Sequence, residues 1–192
     1  MVEPDVQVFW VPKLGNDVAE YEDAYACAWP FFAVADGATE SSFADLWAAG
    51  LVQGFIESAP DLARLSSSAL ELWMEPLQRR WREQIRWDKL PWYAEEKARQ
   101  GAFAALVGLE FFEQPPRPAS FWSRWFGARP DERPRAAWRA MAVGDSCLFL
   151  IRGGRMLRSF PIETARGFSP RPLLLSSLAE RNRDCVRKPG VA

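Results

Sequence analysis

The chain has 192 residues, 48% hydrophobic and 26% charged, with no histidine. This suits one soluble domain with a real core. It excludes Ser-His-Asp, Cys-His and His-ligated zinc chemistry, so acid-base or metal work falls to carboxylates, lysine, tyrosine or thiols, and oxygen donors favour magnesium, manganese or calcium. The net charge of −1 hides an asymmetry: Met1 to Ala63 carries −10 and the remainder +9.

An acidic N-terminal third suits a cation site as well as a solvated surface. The dispersed positive charge predicts no nucleic-acid partner. No apolar run approaches the ~18 residues of a membrane span, and the acidic Met1 to Asp5 does not read as a signal peptide. Cys27, Cys147 and Cys185 are too scattered for a disulfide framework or a zinc site, which points to the cytoplasm.

In chain order, Val6 to Val11 reads as a strand, and Pro12 to Glu20 as a loop with turn chemistry at Gly15-Asn16-Asp17. Ala24 to Trp29 and Phe31 to Ala35 read as strands separated by Pro30, the second stopping at Asp36-Gly37. A helix follows, with Ser42 and Asp45 in capping-box spacing. Its stripe is Phe43, Leu46, Trp47, Leu51 and Phe55. Gly50 and Gly54 lie on that stripe and predict close approach to a sheet. Ser68 to Trp87 is helical, with Leu70, Trp73, Leu77, Trp81 and Ile85 on its apolar face; Pro76 predicts a kink or a restart.

Pro91 to Gln100 reads as helix. Periodicity leaves Ala102 to Phe112 open between helix and strand. Residues 113–135, with five prolines and the cluster Phe121 to Phe126, read as a surface insertion. Here Trp122 and Trp125 suit either a partner surface or an aromatic latch. Trp138 to Val143 and Cys147 to Arg152 read as strands around Gly144-Asp145-Ser146. Gly153-Gly154 is a hairpin signal, and Arg155 to Phe160 completes a meander. The tail 181–192 is polar and aperiodic and is expected to be disordered. One domain, 1–192, is expected.

Three of these segments carry a family resemblance. Tyr21-Glu22-Asp23-Ala24-Tyr25 resembles the Asn-Glu-Asp-Ala motif of metal-dependent protein phosphatases of the 2C type. Phe32 to Ala38 is similar to their apolar strand ending in Asp-Gly. Ala140 to Leu150, with Arg152-Gly153-Gly154, is similar to their Val-Gly-Asp-Ser hairpin and the turn after it. The order of the three fits, and they cover Val6 to Phe160.

The resemblance, to a bacterial-type cytoplasmic member, implies an α+β fold. It would be a four-layer α/β/β/α sandwich of two antiparallel sheets flanked by helices, with a metal site at the strand ends. It implies metal-dependent dephosphorylation of phosphoserine or phosphothreonine in proteins by water held on one or two manganese or magnesium ions. By position, Asp36, the Gly37 carbonyl, Glu22 and Asp145 would be metal ligands, and Asp23 would orient a water.

The chain departs from the pattern in two places. An arginine that usually precedes Glu-Asp is missing, leaving Lys13 as the nearby cation for the substrate phosphate. The family's two later aspartates have no counterpart, since only Asp184 follows Pro161, so the C-terminal strands are expected to be missing. The alternative is a non-catalytic phosphatase-like binding domain, with association of copies through an exposed sheet edge.

Overall fold

The computed structural model describes residues 4–12, 21–115, 135–187 and 190–191. Strands β1 (Ala24–Ala28) and β2 (Phe31–Gly37) pair antiparallel from Ala24↔Ala35 to Ala28↔Phe31. Side chains alternate across β2: Ala33, Ala35 and Gly37 are buried, while Val34 and Asp36 are exposed. The small buried residues let helix α1 (Ala44–Ser58) lie close, with Trp47, Ala48, Leu51 and Phe55 fully buried.

Ser42 does not cap α1 as its spacing with Asp45 suggested. The N-cap is Phe43, in the left-handed region at φ 58°, with no side-chain cap. Its carbonyl instead accepts from the Trp81 indole at 3.1 Å, joining α1 to the next helix. Ser41 is the structural serine. Its hydroxyl donates to the Ala38 carbonyl at 2.8 Å and accepts the Phe103 amide at 3.2 Å.

Helix α2 (Ser67–Gln84) begins at Ser66, whose hydroxyl accepts the Ala69 amide, and buries Leu70, Trp73, Leu77 and Trp81. It is a single element through Pro76, where a kink or restart was expected. Pro76 is on the solvent side, as is Leu72 one turn earlier, so water can satisfy the carbonyl that proline leaves unbonded. The glycines of α1 do not face the sheet. Gly54 meets Leu77 of α2, and nothing lies within 4 Å of a Cβ at Gly50. Helix α3 (Trp92–Ala98) follows as predicted.

The ambiguous Ala- and Gly-rich run is the central strand β3 (Phe103–Gln114), buried on both faces over its middle. It pairs with β2, and with β4 (Arg135–Val143) out to Gln114↔Arg135, so the Pro-rich segment joins two paired strand ends. The expectations for Trp122 and Trp125 lie outside the described residues. At Gly108 a Cβ would stand 2.3 Å from the Phe55 ring, so that ring occupies the space a side chain would need.

The chain leaves this sheet at Gly144. Strands β5 (Leu148–Arg152) and β6 (Arg155–Phe160) form a separate two-stranded sheet, so β4 and β5 are not the hairpin that Gly144-Asp145-Ser146 suggested. Gly153 and Gly154, both with positive φ, make the turn predicted between β5 and β6. The larger sheet runs β1-β2-β3-β4-β8, with β7 (Leu175–Ser176) on β3 and β8 (Gly190–Val191) on β4.

The tail is partly ordered, contrary to expectation. Helix α4 (Arg183–Arg187) follows Asn182, which is 1% exposed. The Asn182 side chain accepts the Ser176 amide at 2.7 Å and donates to the Ser176 and Leu178 carbonyls. Trp47 and Gln78 donate to the carbonyls of Leu175 and Ser176. Residues 4–12 form no strand, and Phe9 and Val11 are more than 80% exposed.

The protein is thus α+β, with two antiparallel sheets and four α-helices among the described residues. One apolar cluster fills the space between the larger sheet and α1 and α2. The other, Val107, Ala140, Ala142 and Phe160 with Leu148, joins the opposite face to the β5–β6 hairpin. Among the described residues no helix covers that hairpin, where Phe149, Ile151, Met156 and Leu157 are exposed, and none is long and apolar enough to cross a membrane.

Two glycines should respond oppositely to alanine. Gly108→Ala drives a methyl into the Phe55 ring and is expected to cost about 1–3 kcal/mol. Gly50→Ala, in open space mid-helix, should stabilise by about 0.5–1 kcal/mol. Urea unfolding checks both signs.

Candidate metal centre at the ends of β1 and β2

The last ladder pair of β1 and β2 is Ala24↔Ala35. One step further, the register sets Asp23 opposite Asp36 and Glu22 opposite Gly37. Gly37 is where the two segments meet most closely. A Cβ there would stand 2.5 Å from the Glu22 carbonyl oxygen and 3.1 Å from both the Glu22 and the Ala44 Cβ atoms. The backbone of Glu22 therefore rests on the face of Gly37, and a side chain would push it away. Glu22-Asp23 and Asp36-Gly37 lie at one end of the sheet, with the Glu22 Cβ on the Gly37 face.

Asp36 is exposed, on the sheet face opposite the α1–α2 core, while Glu22 and Asp23 are half-buried. Among the described residues neither Glu22 nor Asp23 is ion-paired. Tyr21 lies in the Glu-Asp segment, and the sequence pattern gives it no role. Its phenol is hydrogen-bonded to the Asp23 carboxylate, and its ring lies 5.2 Å from that of Trp10. Partial burial first, then the Asp23 and Asp36 carboxylates, hold the phenol above its ordinary pKa of 10.0. The available signal was spacing: in an extended segment, residues two apart share a side, as Tyr21 and Asp23 do.

Asp145 does not join this group. Asp36 pairs with Ala105, and Ala105 in turn abuts Gly144, where a Cβ would lie 2.5 Å from the Ala105 Cβ. Two strand spacings, about 10 Å, therefore separate the Asp36 position from the Gly144 corner. Asp145 lines a different groove with Pro161, Ile162 and Arg171. Lys13 lies outside the described residues.

The donors fit a hard cation in type, since all are oxygens. In number they fit a magnesium-like ion that binds through one or two carboxylates and keeps several waters. Among the described residues no three His, Cys, Asp or Glu side chains are grouped to hold an ion. Comparison with known proteins gives no match among family models, curated proteins or solved structures.

The Tyr21 phenol reports on the carboxylates beside it. Because its folded pKa is raised, the native state keeps a proton that the unfolded chain loses. Its contribution to stability is complete below pH ~10 and is lost as pH rises through the folded value. Asp23→Asn removes one cause of the shift. The Tyr21 transition, followed by phenolate absorbance with Tyr21→Phe as reference, is expected to move down toward 10; an unmoved transition would show that Asp23 does not act on it.

Proposed function

We propose that the chain is a protein phosphatase 2C-type domain that removes phosphate from phosphoserine or phosphothreonine in proteins, using the end of β1 and β2 as its cation site. The observation that carries this reading is the seat of Glu22 on Gly37, which joins the Glu-Asp and Asp-Gly segments at the end of β1 and β2. Two antiparallel sheets, with α1 and α2 outside the larger one, supply three layers of the expected four-layer sandwich; among the described residues no helix supplies the fourth.

In this reading Asp36 and the Gly37 carbonyl would hold manganese or magnesium, with Asp23 on the same face. The Glu22 Cβ lies on the opposite face, against Gly37 and Ala44, so Glu22 would reach the ion only around the strand end. A bound divalent ion supplies Lewis acidity toward the phosphoryl oxygens and makes water more acidic. Asp23 accepts a hydrogen bond and Tyr21 orients it, so Asp23 serves as a fixed acceptor for a water proton. No histidine is needed. Asp145, displaced to the sheet-to-sheet corner, is outside this set.

A second reading has its own observation. The lack of three grouped donors among the described residues favours a non-catalytic phosphatase-like domain acting through binding. Strand β1, which ends the strand order of the larger sheet, then offers an edge for association of copies.

Manganese-dependent hydrolysis of p-nitrophenyl phosphate separates the two. The catalytic reading expects turnover that Asp36→Asn lowers by about two orders of magnitude or more, the equivalent of several kcal/mol of lost charge stabilisation. Absence of turnover with either manganese or magnesium would leave the binding reading.

A further inference from the structure

Beyond Gly37 the β2–β3 ladder continues by one bond, from the Ala38 amide to the Phe103 carbonyl at 2.9 Å. A groove of ≈ 300 Å³ opens there, lined by Ala38, Glu40, Ser41, Lys97, Gln100 and Phe103 among others. Its floor is fixed, because the Ser41 hydroxyl ties Ala38 to Phe103. Alternate residues of a strand share a face. Asp36 pairs with Ala105, so Ala38 and Phe103, each two positions further along, lie on the Asp36 side. They stand about 7 Å from it along the strands.

Lys97, in the last turn of α3, is the cation of this groove. It is exposed, and among the described residues it makes no ion pair. Its neighbour Arg99 is committed elsewhere, bonded to Glu95 and lying 5.9 Å over the Trp87 ring. Glu40 is the acidic residue of the lining.

We propose that this groove receives the substrate's phosphoryl group and that Lys97 is its anchoring cation. The inference rests on the phosphatase reading of the neighbouring carboxylates. An ammonium on a flexible stem, with three donors, binds phosphate as a point charge and needs no bidentate geometry. The chemistry recognised is a phosphomonoester. The exposure of Glu40, Lys97 and Gln100 leaves the groove open to one carried on a protein side chain.

The test is titration of inorganic phosphate into the full chain in magnesium buffer, read by calorimetry and by amide chemical shifts. Lys97→Gln should weaken binding roughly three- to tenfold, as expected for an exposed charge contact. Glu40→Gln should tighten it, a gain that a folding defect cannot imitate. Lys89→Gln, away from the groove, should leave it unchanged. Shifts are expected at Ser41, Gln100 and Gly101. Binding that ignores both Lys97→Gln and Glu40→Gln, or shifts centred on Asp145 and Arg171, would overturn the proposal. Binding is read directly, so a failure to hydrolyse p-nitrophenyl phosphate counts against the phosphatase reading alone.

Discussion

The contact between the Glu22 backbone and Gly37 is the constraint on which the rest of the candidate site depends. A carbonyl oxygen 2.5 Å from where a Cβ would stand leaves glycine as the residue that fits. That one missing side chain lets the approach to β1 close over the end of β2. It sets Asp23 across from Asp36 and carries Tyr21 to within hydrogen-bonding reach of Asp23. On the same face Gly37 meets Ala44, the first residue of α1, so the sheet end and the helix start are fixed together.

Electrostatics follow from that closure. Asp23 lies across from Asp36 at one strand end, and partial burial together with these two carboxylates makes the Tyr21 phenol hold its proton more tightly. A cation there would relieve the same repulsion. Just past the same strand end, the groove at Ser41 is lined by Lys97. A negative strand end beside a groove that carries Lys97 is an arrangement that suits one cation and one phosphate together.

Local signals in the sequence were legible. Strands β1 and β2, helices α1 and α2, and the Gly153-Gly154 turn follow from period and turn chemistry alone. Pairing over long separations was not. Nothing near Gly144-Asp145-Ser146 says that β5 leaves the sheet to which β4 belongs, so the motif read as a hairpin. Val6 to Val11 has strand composition, but among the described residues it has no strand partner. Asn182 looked like part of a solvated tail because a polar residue satisfied by buried carbonyls has the same letters as one satisfied by water. Glu22, Asp23, Asp36 and Gly37 were readable because their motifs sit at adjoining strand ends. Lys97 was not, because only the packing brings the end of α3 to the end of β2.

Calorimetric titration of the purified chain with magnesium tests the central claim most directly. The account predicts one ion per chain, with binding lost in Asp36→Asn and weakened in Gly37→Ala, where the added methyl displaces Glu22. Absence of binding, or equal binding by the parent chain and Asp36→Asn, would contradict it.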